Sequence, residues 1–164
     1  IGQGWDRHRW VEGRPCVLGG IAFPESPIGP LGHSDGDAVI HAVVDALLGA
    51  AALGDIGRHF PDSGERWRGA DSMEFLDAAV RMVGEAGWRV GNVDLTIITE
   101  QPHIAGRADE MAAVMAAAMH VDTGAVSIKA TRGEGTGPEG RGECVTVTAV
   151  ALLLEGGDEE KNHE

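Results

Sequence analysis

Residues 33 to 53 read HSDGDAVIHAVVDALLGAAAL, and this stretch decides the fold. Val39, Ile40, Val43, Val44, Leu47 and Leu48 recur at helical spacing, and Ser34 followed by Asp37 resembles a capping box, so a helix is predicted over residues 35–53. Upstream, residues 1–8 and 16–23 are short apolar runs interrupted by Gly and bounded by Pro15 and Pro24, which predicts two strands or extended segments. Downstream, GDIGRHFPDSGERW at 54–67 is long for a loop and rich in Gly, Pro, Asp and Ser, the composition of a functional lid or a mobile connection. A second helix is predicted over 71–86, with Met73, Leu76, Val80 and Val83 on one face and Gly87 as its stop. Residues 93–99 alternate as a strand, 107–120 are Ala- and Met-rich and helical, 125–131 read as a strand, and 144–154 form a long β-branched strand. This order implies one domain over residues 1–155 of the α/β (α+β) class, a mixed sheet covered by helices on at least one face. GGDEEKNHE, residues 156–164, has no apolar period and is expected to be an acidic disordered tail.

The 164 residues suit one domain, and 43% hydrophobic with 24% charged residues exclude a disordered or fibrous chain. Thirteen basic against 26 acidic residues give a formal charge of −13, which repels a phosphate backbone and argues against nucleic acid or an anionic membrane as partner. A phosphorylated ligand can still bind where a metal or a helix N-terminus reverses the local field. Cys16 and Cys144 lie in separate apolar stretches with no C-x-x-C spacing and read as reduced core residues. The longest apolar run, residues 47–53, is broken by Gly49 and falls far short of the ~20 residues of a membrane span. With no signal-peptide pattern, a cytoplasmic and bacterial protein is expected. The opening at Ile1 without Met leaves room for an organelle-targeting segment or a fused domain upstream.

Asp6 and His8 form D-x-H, and the period of a strand points both side chains to one face. That spacing fits either a solvent-facing strand or a pair of metal ligands awaiting a third. His41 lies one turn after Asp37 and one turn before Asp45, so the three share a stripe on an otherwise apolar helix. The stripe reads as an exposed polar face, or as a ligating imidazole with carboxylates that orient it. Two His and one Asp with a fourth position open to substrate match catalytic zinc. The helix N-terminus at 34–37 and the Gly-rich RGEGTGPEGRG at 132–142 are candidate anion sites, and Glu134 is a candidate ligand for Mg²⁺. The Gly-rich segment equally suits a plain hairpin connection. There is no P-loop, dinucleotide fingerprint or G-x-S-x-G elbow, so covalent nucleophilic catalysis has no support.

Several blocks together resemble the 2-C-methyl-D-erythritol 2,4-cyclodiphosphate synthase family. They are IGQGWDRH at the start, GHSDGDAVIHAVVDALLGAAALGDIGRHFPD at 32–62, GADS at 69–72, GNVDLTII at 91–98, IKAT at 128–131 and GRGE at 140–143. The resemblance implies a homotrimer with active sites between subunits and Zn²⁺ on Asp6, His8 and His41. It implies cyclisation of 4-diphosphocytidyl-2-C-methyl-D-erythritol 2-phosphate with release of CMP, in the non-mevalonate route to isoprenoid precursors. By the same resemblance a second ion, Mg²⁺ or Mn²⁺, sits on Glu134, and His33 and Ser34 contact phosphate. Asp55, Ile56, Gly57, Phe60 and Asp62 border the methylerythritol. Thr99, Pro102, Ala105, Ala130 and Thr131 form the cytidine pocket, with Pro138 and Arg141 also on the substrate. Arg141 and Glu143 stand at the trimer axis, where relatives have an apolar channel able to hold an isoprenoid diphosphate.

The chain departs from the family pattern in one region. Relatives continue K-A-T with Thr or Asn and then E-K-L-G-F, whereas residues 129–138 read KATRGEGTGP. Arg132, matched to a transition-state stabiliser along with His33, replaces a hydroxyl residue, a non-conservative change that can still pair with phosphate. Gly135 and Pro138 replace Lys and Phe, His103 stands where Lys is common, and Gln3 where His often stands. Two other readings fit a divergent loop: a metal-dependent phosphohydrolase on the same scaffold, and a non-catalytic trimer that binds an isoprenoid diphosphate.

Overall fold

The computed structural model describes residues 1–62 and 65–156, so all but Gly156 of the tail expected at 156–164 lies outside the described residues. The chain opens with β1 (Gly2–Glu12), two short strands, β2 (Val17–Leu18) and β3 (Ile21–Ala22), and β4 (Ile28–Pro30). Then come α1 (Ala38–Ala50), the single turn α2 (Ile56–His59), α3 (Ser72–Glu85) and β5 (Trp88–Ile98). The chain continues through α4 (Ala108–Met119), β6 (Val126–Thr131), the single turn α5 (Gly137–Gly140) and β7 (Cys144–Glu155). The five-stranded sheet has the order β4-β1-β7-β5-β6, antiparallel except for the parallel β5–β6 pair. A parallel pair needs a crossover, and α4 supplies it. The result is the expected mixed sheet with helices on one face.

α1 is apolar around nearly its whole circumference, the signature of a buried helix, and nine of its residues from Ala38 to Leu48 are buried. Val39, Ile40, Val43, Leu47 and Leu48 are wholly buried between the sheet and α3, and each contributes about 1.5–3 kcal/mol of burial. The helix begins later than the 35–53 reading. Its cap is Asp37, whose carboxylate accepts the Val39 and Ile40 amides, whereas the Ser34 hydroxyl accepts the Gly36 amide in the turn before it.

β1 keeps the period of two. Gly2, Gly4, Asp6, His8 and Trp10 face the helices; Gln3, Trp5, Arg7 and Arg9 face outward. The inward glycines let α1 lie directly on the strand backbone. A Cβ on Gly4 would fall 1.8 Å from the Ala42 carbonyl oxygen, and one on Gly2 would fall 2.0 Å from that of Ala46. The outer sheet face leaves Trp5, Trp88, Val150, Leu152 and Leu154 exposed. Cys144 begins β7, while Cys16 precedes β2 instead of lying in a strand; both are buried free thiols. Among the described residues no helix is long and apolar enough to cross a membrane.

Candidate functional site

The close contact of β1 and α1 brings together the three residues picked out by spacing. Asp6 Oδ2 lies 3.0 Å from His8 Nε2 and 3.1 Å from His41 Nδ1, and the two ring nitrogens are 3.0 Å apart. Tetrahedral ligation at about 2.0 Å places donor atoms roughly 3.3 Å from one another, so this triangle fits a small divalent cation. Among the described residues it is the only cluster of three His, Cys, Asp or Glu side chains that fits a metal. Burial opposes ionisation of Asp6, but hydrogen bonds and charge from His41 and His8 override it and hold the carboxyl well below the usual carboxylate range. Burial likewise disfavours a charged His41, and Asp6 outweighs it, so without a cation the imidazole holds its proton more tightly than usual.

The carboxylates expected to orient His41 have other tasks. Asp37 is fully buried and accepts four amides, those of Gly19 (2.8 Å), Gly20 (2.7 Å), Val39 and Ile40; it caps α1 and pins the β2–β3 turn. Desolvation pushes its pKa up while those amides pull it down, with the net shift upward. Asp45 accepts the Ile56 amide at 2.7 Å and so ties α1 to α2. The partners of His41 Nε2 are instead two hydroxyls, Ser72 Oγ at 2.9 Å and Ser34 Oγ at 3.2 Å. The α1 N-terminus is also not an open anion site. The amides of Asp35, Gly36, Asp37, Val39 and Ile40 are already bonded to Ala70, Ser34, Asp35 and Asp37.

The two imidazoles of the triad, but not Asp6, line a cavity of about 490 Å³ together with His33, Ser34, Ile56, Gly57, Phe60 and Asp62, all expected around the substrate. Asp55 does not line it; its carboxylate caps α2 at the Arg58 amide. Trp67 and Phe75 do line it and went unnoticed in the sequence. Phe60 stacks on Phe75 at 4.8 Å, and Trp67 meets both rings edge-on, giving the cavity an aromatic wall. Of the 54–67 stretch, Ile56, Gly57, Phe60, Pro61, Asp62 and Trp67 line this cleft.

A second, smaller cavity of about 100 Å³ gathers Thr99, Pro102, Ala105, Ala130, Thr131 and Arg132, with Glu100, His103 and Ile104. Its lining shares no residue with the first. Beside it Glu134, exposed and at φ 48°, donates its amide to Glu100 Oε1 at 2.8 Å. The glycines of this loop serve its own folding. A Cβ on Gly133 would fall 2.4 Å from the Gly140 nitrogen, so the loop closes on itself around α5, which contains Pro138. That closure replaces the plain hairpin and the expected approach of a ligand to those two glycines. Arg141 and Glu143 pair at 2.6 Å on the exposed side. A further cleft of about 1070 Å³ lies elsewhere, between the ends of α3 and α4 and the start of β5, and among the described residues it contains no metal-ligating cluster.

The chain matches the YgbB family over residues 1–154. The 2-C-methyl-D-erythritol 2,4-cyclodiphosphate synthase of Synechococcus sp. (strain JA-2-3B'a(2-13)) is 52% identical over 155 residues, 94% of this chain and 98% of the relative. The synthase of the same name from Chromobacterium violaceum is also 52% identical, with the same coverage. A solved structure of 2C-methyl-D-erythritol-2,4-cyclodiphosphate synthase in a CDP-bound form shares 38% identity and a TM-score of 0.85, covering 93% of this chain and 99% of that one. With the match running from the first strand into the last, this chain belongs to the YgbB family.

Proposed function

We propose that this chain cyclises 4-diphosphocytidyl-2-C-methyl-D-erythritol 2-phosphate to 2-C-methyl-D-erythritol 2,4-cyclodiphosphate. An oxygen of the 2-phosphate forms a bond to the β-phosphorus, the bond from that phosphorus to the bridging oxygen breaks, and the electron pair leaves with CMP. The observation that carries this reading is the donor triangle of Asp6, His8 and His41, whose two imidazoles line a cleft with Ile56, Gly57, Phe60 and Asp62. Zn²⁺ on that triangle would supply Lewis-acid polarisation and orientation of the attacked phosphoryl group. His33 and Ser34, on the same cleft wall, would bind the phosphates, and the aromatic wall would exclude water from a reaction whose alternative is hydrolysis. Glu134 would hold Mg²⁺ or Mn²⁺ against the diphosphate, the one-carboxylate ligation such ions accept when phosphates complete the shell. Arg132 has no ion pair among the described residues and lies on the second cavity, where its guanidinium would pair with phosphate. Positioning and charge neutralisation suffice, so no protein nucleophile is needed.

Because the two cavities share no residue, we place the cytidine-binding cavity of one subunit against the metal cleft of a neighbour in a homotrimer. The exposed apolar face of β1, β5 and β7 supports this assembly, and the Arg141–Glu143 pair would lie at its axis, beside a channel for an isoprenoid diphosphate. Zinc- and magnesium-loaded protein incubated with the cytidyl substrate should yield CMP and the cyclic diphosphate, followed by phosphorus NMR. CMP without cyclic product identifies the phosphohydrolase, and metal binding without turnover the non-catalytic trimer. Light scattering should give three times the 17.1 kDa chain mass.

A further inference from the structure

Ser72 is completely buried at the first turn of α3, and three contacts hold it, two of them through its hydroxyl. Its backbone amide donates to Asp35 Oδ2 at 3.0 Å, its Oγ lies 2.5 Å from Asp35 Oδ1, and the same Oγ lies 2.9 Å from His41 Nε2. Asp35 is itself held, with its amide on the Ala70 carbonyl and its Oδ1 also accepting the Asp37 amide. A hydroxyl has one hydrogen and a carboxylate has none, so the Ser72 hydrogen goes to Asp35 and only lone pairs face His41. We infer that Asp35 and Ser72 form a relay that sets the hydrogen of His41 on Nε2, which Ser34 Oγ also faces at 3.2 Å, so that Nδ1 offers its lone pair to a cation held jointly with Asp6 and His8. Neither residue supplies a donor atom of the triangle; both are positioning residues that prepare His41 as a ligand. The relay also sets the ring plane, because Ser72 is rooted in α3 while His41 is rooted in α1, so the two helices hold the imidazole from opposite ends. The inference rests on the metal-dependent reading above for the identity of the bound group.

The test is affinity for Zn²⁺ alone, by competition with a chromophoric chelator, together with the visible absorption of the Co²⁺-loaded protein as a record of ligand arrangement. Ser72→Ala should weaken Zn²⁺ binding about 10- to 100-fold and alter the Co²⁺ spectrum. Asp35→Asn, which removes the charge that claims the Ser72 hydrogen, should move both readouts in the same direction. Asp71→Ala removes the α3 cap at the Met73 amide without touching the relay; it should lower thermal stability yet leave Zn²⁺ affinity within about twofold. Equal affinity of wild type and Ser72→Ala overturns the inference, as does an equal loss in Asp71→Ala. If Ser72→Ala does not fold, Asp35→Asn against Asp71→Ala decides by the same criterion. A wild type that binds no divalent ion overturns the relay and the metal-dependent function together. A Ser72-dependent ion with no cyclic product by phosphorus NMR sinks the function and leaves the relay standing.

Discussion

Asp6 and His8 stand mid-strand on β1 and His41 on the first turn of α1, two elements in backbone contact. Thr99, Arg132 and Glu134 stand on turns just beyond the ends of β5 and β6. The first group is partly buried and braced by a second layer of buried side chains, while in the second Arg132 and Glu134 are exposed and only Thr99 is buried. The contrast follows from tolerance. A metal requires its ligands within about 0.2 Å of fixed distances, which only rigid elements hold, whereas a nucleotide can be met by loops that adjust. It also locates the divergence of this chain: the departures at 132–138 fall in the exposed half, where substitution disturbs no core. If the contrast is sound, changes in the two halves separate cleanly in metal binding and activity.

The largest effect is expected from the triad itself. His41→Ala should abolish detectable Zn²⁺ binding and lower cyclisation on the order of 10³-fold or more, the loss of several kcal/mol of charge stabilisation. Its circular dichroism should remain that of the wild type. Retention of tight Zn²⁺ binding would place the metal elsewhere and break the comparison at its root.

Gly4→Ala comes next, since it attacks the rigidity of the metal half and not a ligand. The added Cβ would lie within 1.8 Å of the Ala42 carbonyl, one residue from His41, so α1 must lift from β1. Overpacking of this kind costs about 1–3 kcal/mol, measured by urea unfolding, and Zn²⁺ affinity should fall with it. A destabilised variant with wild-type affinity would show that the triangle does not depend on the strand–helix contact.

These two residues mark how far the sequence could be read. The period of β1 put Asp6 and His8 on one face and the helical spacing of 35–53 put His41 in a polar stripe, because both patterns are local; that the two faces meet is a tertiary fact the spacing left open. The i,i+4 stripe misled at Asp37 and Asp45 because spacing shows which face a side chain leaves, not which distant amide it meets; those of Gly19 and Gly20 arrive from 17 or more residues away. Ser72, 31 residues from His41, is invisible to any local pattern, although the GADS block drew notice. The Gly-x-Gly of residues 2–4 carried a usable signal, since glycine inside a strand often marks close backbone approach.

On the exposed half, Glu134→Gln keeps the loop, whose Glu134 contact to Glu100 is made by the backbone amide. It should lower cyclisation about 100-fold through the loss of a Mg²⁺-holding charge. Zn²⁺ affinity of the triad should stay within about twofold. A parallel loss of Zn²⁺ would mean that the two halves are one coupled unit.

The smallest effect concerns the packing behind the rigid half. Cys16 is buried just before the β2–β3 turn that Asp37 pins, and desolvation, with the nearby Asp37 and Glu25 charges adding to it, pushes its thiol up to about 11 from an ordinary 9. Between those values the unfolded chain releases the proton and the folded chain keeps it, so the folded state binds more protons and stability falls as pH rises. The stability is fully present below pH 9, and about 2 kcal/mol is lost by pH 11. The chain has no Tyr, and burial raises its other thiol, Cys144, as well, so the contribution of Cys16 is read from the difference between wild type and Cys16→Ala. Urea unfolding of metal-free protein at pH 8 and pH 10.5 should therefore show a steeper alkaline decline in the wild type than in Cys16→Ala. Identical slopes would mean that the wall beside α1 opens to water, and that the rigidity of the metal half comes from the β1–α1 contact alone.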